Sequence, residues 1–402
     1  MDMMFIMNRF NKLTSITSGF LTLAVSHSVY AAPTPVPIET ESGIAIVPYL
    51  NLYSGYNSNV AKEEFDETSS WFAVYEPGVG FELESDKQKH NLGYRIQRGE
   101  FFSSQRDNYT DHFLDLTSYW EANSRNALDL RYSLAKTHEN RGDNDTTSNL
   151  DYNKYVSNSF NLGYRYGSTE AKGQIEANVG WGDLSYKNNR NVTRYQDWDE
   201  GRFSTAFFYK AFPKTSLLAQ YIVNDRSYNE VAPGSSERDS LHHFVYLGTS
   251  WDATGKLRGS VKIGYQNKEF DASQREDFDS FSWDVDVAYM LRSYSALELK
   301  SSRKSTDPNG LGGAIDTSVY NANWSHNWSE IISTHTELSY LSEDYTDSSR
   351  KDDTSKASVY LDYDFRRWLT FKGGVSYESR DSNLSNFSYD QSVYYVAVEG
   401  VM

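Results

Sequence analysis

The chain has 402 residues, with 55 acidic against 39 basic side chains, a formal net charge of −16 at pH 7 and no cysteine. That acidic balance argues against a nucleic-acid binder, which needs clustered Lys and Arg, and the missing cysteine excludes disulfides, thiolate metal sites and a lipidated N-terminal cysteine. A mean hydropathy of −0.67 would suit a disordered chain, but 31 Tyr, 21 Phe and 9 Trp would not.

The first predicted element is a targeting segment. Arg9 and Lys12 form a positive n-region, Leu13 to Val25 a mostly apolar h-region, and Val29-Tyr30-Ala31 a small-residue cleavage site. The apolar run is shorter than the ~20 residues a spanning helix needs. Residues 1–31 are therefore read as a cleaved signal peptide, leaving 402 − 31 = 371 residues. Asp2, Arg9 and Lys12 depart with it, so the charge moves from −16 to −17. Residues 32–43 (APTPVPIETESG) are Pro-rich and polar, which predicts a short periplasmic lead-in.

From Ile44 onward the hydrophobic period is two rather than 3.6. In Phe281 to Leu291, Phe281, Trp283, Val285, Val287, Tyr289 and Leu291 share one face, and Ser282, Asp284, Asp286 and Ala288 share the other. Ala127 to Lys136 and Leu369 to Glu378 alternate in the same way. Successive side chains of a strand point to opposite faces, so each segment offers one apolar and one wet face. The connections alternate too. Eight are short, such as Glu84–Gln88, Ala211–Thr215 and Arg366–Arg367. Nine are long and polar, such as Asn57–Ser70, His138–Val156 and Ser342–Thr354. Short periplasmic turns against longer extracellular loops are the rhythm of an outer-membrane barrel, whose alternating strands and aromatic girdles also account for the composition. Residues 44–402 are thus predicted to be all-β. They would form a transmembrane antiparallel up-and-down β-barrel of about eighteen strands of about ten residues each, with both termini in the periplasm. Sixteen strands would follow if one hairpin lay outside the membrane. A soluble multi-sheet β-protein explains neither the rhythm nor the signal.

No catalytic set is apparent, so the chain reads as a non-enzyme. His242 and His243 are adjacent on a strand and point to opposite faces, which prevents both from holding one metal. Asp143, Asn144, Asp145 and Asp151 share the longest loop and offer oxygen ligands of the kind Ca²⁺ takes, but their spacing is not that of an EF-hand, and no metal or cofactor is expected. Projecting the alternation inward gives charged lumen candidates: Arg95, Asp115, Asp129, Arg131, Arg165, Glu176, Lys262, Asp284, Asp286, Glu298, Lys300, Glu337, Asp362, Asp364 and Lys372. Opposite charges on such a wall pair across strands. Tyr119, Tyr246, Tyr360 and Tyr395 also project inward, where they either pack the wall or offer faces to sugar rings. The loop His138–Val156 is expected to fold inward as a partial constriction, with Asp143, Asp145 and Asp151 opposite Arg95, Arg131 and Arg165. The acidic balance predicts a weak cation preference.

Three segments carry a family likeness: VPYLNLYSGYNSNV (Val47 to Val60), SSQRDNYTDHFLDL (Ser103 to Leu116) and FPKTSLLAQY (Phe212 to Tyr221). Through them the chain resembles the β-barrel porin family of exopolysaccharide and capsule gene clusters. The ending Val398-Glu399-Gly400-Val401-Met402 departs from the terminal aromatic usual in outer-membrane barrels. The resemblance implies an outer-membrane porin of a Gram-negative bacterium taking part in export of exopolysaccharide or capsular polysaccharide. Its partners would then be outer-membrane lipids, polysaccharide and a periplasmic or outer-membrane polysaccharide export protein. Two alternatives stand beside it: a general or solute-specific diffusion porin unrelated to polysaccharide, and a barrel enzyme.

Overall fold

A computed structural model of the chain describes residues 36–143, 151–168, 170–252, 255–308, 313–346 and 348–402. The expected signal peptide lies outside the described residues. The lead-in contributes a two-residue strand, β1 (Ile38–Glu39), which folds back on the start of β2 through Thr40 and Gly43.

Eighteen long strands follow in one antiparallel sheet. They are β2 (Ala45–Asn57), β3 (Ser70–Ser85), β4 (Gln88–Phe101), β5 (Tyr109–Asn123), β6 (Asn126–Glu139), β7 (Asn153–Tyr166), β8 (Gly173–Tyr186), β9 (Trp198–Phe212) and β10 (Thr215–Tyr228), then β11 (Ser240–Asp252), β12 (Leu257–Phe270), β13 (Phe278–Arg292), β14 (Ser295–Thr306), β15 (Ile315–Asn327), β16 (Ile332–Tyr345), β17 (Lys351–Arg366), β18 (Leu369–Ser382) and β19 (Tyr389–Val401). Each pairs with the next, and β19 pairs with β2, so the sheet closes into an eighteen-stranded barrel. The closing ladder is short: nine positions, Tyr49–Asn57 against Val393–Val401. The ladder between β13 and β14 is equally short, because it stops at Trp283 opposite Arg303.

The strands run to between 12 and 16 residues rather than ten. Pairing continues past the apolar band at both ends, which tightens the connections. The expected turn Ala211–Thr215 shrinks to Pro213-Lys214, and the expected loop Ser342–Thr354 to residues 346–350. Loops and turns still alternate, with nine loops at one rim and eight turns at the other.

Alternation fixes the faces. On β13, Phe281 and Tyr289 are exposed while Ser282 between them is fully buried. Large exposed side chains such as Val245, Leu247, Leu338 and Val396 fall on the same outer face of their strands. Phe281 and Tyr289 bracket this band. Eight residues at about 3.3 Å each put them about 26 Å apart along the strand, the scale of a barrel's apolar belt.

The loop-side edge of the belt repeats one device. Six strands running toward the loops each present an outward tyrosine. Its hydroxyl bonds to a polar residue of the following strand, two positions nearer the loops. The pairs are Tyr94–His112 (2.9 Å), Tyr132–Asn158 (2.9 Å), Tyr221–His243 (2.8 Å), Tyr265–Asp279, Tyr340–Asp353 (2.8 Å) and Tyr377–Asp390 (2.8 Å). An apolar ring body with a wet tip suits the membrane–water boundary.

Candidate channel lining and mouth

The inner face is a wall of charges, most of which pair with an opposite charge close by, while Asp115 and Asp364 take hydroxyl partners. Arg95 donates to Glu76 (3.0 Å), which also accepts from Gln97 (2.8 Å) and Asn51 (3.0 Å). Asp115 accepts from Ser133 (2.7 Å), and Asp129 pairs with Arg131 (3.0 Å). Arg165 donates to the Tyr119 hydroxyl (3.1 Å) and stands opposite Glu176 in the β7–β8 register. Asp284 is shared between Lys262 (3.4 Å) and Lys304 (2.8 Å). Asp286 faces Lys300 in register, and Lys300 and Arg258 approach Glu298 (3.8 and 4.0 Å). Glu337 lies between Lys356 and Tyr360 of β17. Lys372 bridges Asp362 (3.4 Å) and Glu399 (3.1 Å), and Asp364 accepts from Thr370 (2.7 Å). Neighbouring-strand pairs of this kind come at little entropic cost, because the sheet already holds their stems in register.

The inward tyrosines are packed into this wall. Tyr246 is 1% exposed, stacks on Phe244 and bonds to Ser282 (2.7 Å). Tyr360 stacks on His335 at 4.7 Å, and Tyr395 lies with it over Gly374, where a Cβ would strike both. His242 turns inward to Gln266 (3.2 Å) while His243 turns outward to Tyr221, so the two rings serve opposite faces.

At the loop-side mouth the sequence-based expectation is corrected. Asp143 does not sit opposite Arg95, Arg131 or Arg165, which are engaged by Glu76 on the neighbouring strand, by Asp129 on the same strand and by Tyr119 two strands away. Its partner is Lys62 of the first loop, at 3.0 Å, and Lys62 also reaches Glu378 on the inner face of β18 at 3.1 Å. Asp151 acts on Arg141 of the same loop through its charge, and Asp145 is outside the described residues. The first loop reaches this place because it leans across the barrel seam. Asn59, Val60 and Ala61 are buried, Asn59 donates to the Asp390 carbonyl (3.0 Å), and Gln391 donates to the Asn59 carbonyl (2.6 Å). Arg141 of the third loop clamps Asp107 of the second (2.7 and 2.8 Å). Three successive loops are thereby tied together within the mouth. Burial alone would push the Lys62 ammonium down, but Asp143 and Glu378 outweigh it and hold it above its ordinary value.

A second latch lies at the other side. The end of β14 leaves β13 and turns inward, with the Ser305 amide donating to the Gln266 side chain (2.8 Å). That carries Asp307 over the wall to Arg226 of β10 (2.7 Å) and Lys268 of β12 (2.5 Å), while Arg226 also holds Glu200 of β9 (2.7 Å). Burial raises the Asp307 carboxyl, but Lys268 and Arg226 overcome this and keep it well below the usual carboxylate range. None of Lys62, Glu378, Arg226, Lys268 and Asp307 stood among the sequence candidates. Alternation could have put Arg226, Lys268 and Glu378 on the inner face, but it carries no signal for the loop residue that meets them. Among the described residues no group of three or more His, Asp or Glu is arranged to hold a metal ion.

The profile of the family described as putative beta-barrel porin 2 matches residues 44–400, nearly the whole barrel. No curated protein matches the chain. Among solved structures, the FrpB iron transporter from Neisseria meningitidis superposes with a TM-score of 0.50 at 10% identity, covering 84% of this chain and 64% of that one. OpdK from Pseudomonas aeruginosa, solved with vanillate, gives 0.49 at 9% identity over 89% of this chain and 99% of its own. OccAB4 from Acinetobacter baumannii gives 0.48 at 12% identity over 91% and 99%. At 10% identity the likeness to FrpB is one of fold alone.

Proposed function

This chain belongs to the putative beta-barrel porin 2 family, and on that footing we propose that it is a diffusion channel for small hydrophilic solutes in the outer membrane of a Gram-negative bacterium. An eighteen-stranded barrel is wide enough to enclose water. The observation that carries the reading is the mouth. The two latches, Lys62 with Asp143 and Glu378, and Asp307 with Arg226 and Lys268, draw loops inward from different arcs of the rim. A pore narrowed there passes small solutes and hinders a polymer. The inner wall supports the same reading, because most of its charges are paired and its tyrosines Tyr246 and Tyr360 are stacked on Phe244 and His335 rather than laid open as platforms for sugar rings. Export of exopolysaccharide or capsule, with an export protein as partner, rests on the sequence resemblance alone.

The test is purified barrel in planar bilayers and in proteoliposomes. Stable conductance is expected, with small sugars entering liposomes and long oligosaccharides excluded. The paired wall predicts only a weak cation preference, set by the acidic mouth and fading with salt. A barrel that is electrically silent, or one that passes long oligosaccharides as readily as small sugars, would overturn this reading.

A further inference from the structure

The two rims of the barrel carry opposite charge on their exposed surfaces. Turn after turn bears an exposed base. Lys87, Arg125, Lys172, Lys214, Arg292 and Arg367 each mark a different connection at the turn rim. Among the described residues no ion pair engages any of the six; the acids at this rim are fewer, with Asp86 beside Lys87 and Glu330 in the β15–β16 turn exposed, Glu170 taken by the inward Lys210 at 2.7 Å and Glu84 by Lys89 at 3.2 Å. The loop rim is the reverse. The first loop holds Glu63, Glu64, Asp66 and Glu67 against Lys62, which is itself consumed within the mouth. Three of the outward tyrosines of that edge lean on Asp279, Asp353 and Asp390.

The depth of the basic ring is fixed by its neighbours. Phe212, Trp328 and Trp368 lie in or beside the turns and are 68, 63 and 56% exposed. Aromatic side chains of this kind settle at headgroup level. The turns are as short as two residues, so their bases cannot stand off into the periplasm. They must extend along the barrel wall to the level where phosphates lie. A rim with an excess of cations at that level attracts net negative lipid over zwitterionic lipid.

We propose that the turn rim binds anionic phospholipid headgroups of the inner leaflet, so that the barrel gathers a shell of phosphatidylglycerol-like lipid there. The assignment of this rim to the inner leaflet rests on the channel reading. An acidic periplasmic protein would meet the same charges, but it would need bases presented beyond the headgroups, and the two-residue turns do not provide that.

The experiment reconstitutes the full barrel in phosphatidylcholine bilayers with spin-labelled phosphatidylglycerol or spin-labelled phosphatidylcholine, and compares the motionally restricted fractions. Wild-type barrel should favour the anionic label by about two-fold or more. Replacing the six bases with glutamine (Lys87→Gln, Arg125→Gln, Lys172→Gln, Lys214→Gln, Arg292→Gln and Arg367→Gln) should bring the two labels to parity. Wild type in about 0.5 M salt should do the same, which keeps the proposal falsifiable if the variant does not fold. Equal association in wild type at low salt, or a preference that survives both neutralisation and salt, would overturn it; the first result would leave the ring to an acidic protein partner. Conductance is read on the same samples. A barrel that prefers the anionic label yet stays silent would overturn the channel and leave the lipid shell standing.

Discussion

Lys62 holds three separate pieces of chain at once: its own loop, Asp143 of the third loop and Glu378 of β18. Its side chain is only 12% exposed, so losing it leaves the half-dry Glu378 to Lys356 (3.4 Å) and Asp143 to the neutral Asn140 (3.1 Å). Removing one partner from such a buried network costs about 3–5 kcal/mol. Lys62→Gln should therefore release the first and third loops, and single-channel conductance should rise while the strand ladders stay intact. Gly142 gives an independent route to the same outcome. It sits at φ 82°, and a methyl there would run into the Ala61 carbonyl. Gly142→Ala should push the two loops apart and reproduce the conductance of Lys62→Gln. If neither variant differs from wild type, the loops do not narrow the pore. The latches also set a pH behaviour. Asp307 is held below its ordinary value, so its contribution is complete above about pH 4 and is lost only as the pH falls through its lower folded value. Lys62 is held above its ordinary value, so its contribution is complete below about pH 10 and is lost only as the pH rises through its higher folded value. Conductance measured between about pH 5 and 9 should be flat. A step inside that range would mean that neither latch controls the mouth.

At the scale of the strand, β13 shows what alternation decides and where it stops. Trp283, Val285 and Val287 share the face of the exposed Phe281 and Tyr289. Val285→Arg should thus cost about 2–4 kcal/mol if it lies near the middle of the bilayer. Reversible unfolding in lipid vesicles would measure this, and an unchanged denaturant midpoint would put Val285 elsewhere. The face of each strand residue was legible in the sequence because a period of two leaves only two choices. The strand count was legible because long and short connections alternate. The strand ends were not, since pairing runs on through polar residues that look like loop, as in Ser342 to Tyr345. The latches were not legible either. Asp307 meets Arg226 across 81 positions of sequence, and nothing local marks the point where the end of β14 leaves β13 for Gln266. The mouth belongs to tertiary structure, whereas the wall belongs to pattern.

Across the whole molecule, seventeen of the eighteen barrel strand pairs join consecutive strands, each a hairpin that can form around its own loop or turn. The pair β19–β2 alone brings the two ends of the barrel sequence together, and it does so with nine paired positions. Each hairpin brings the two ends nearer, but the last pair still joins the segments farthest apart in sequence, the contact with the largest entropic cost. Closure is thus a single late event in the birth of the molecule. Until it happens the protein is a curled ribbon with two bare edges, each a template for a passing strand. A free peptide of the sequence Ala45–Asn57 matches the edge that β19 leaves open, and added during assembly it would act as a false last tooth in the zip. Added to the finished barrel it would find no edge at all. Vulnerability to such a decoy is therefore confined to the moments before the ring is joined.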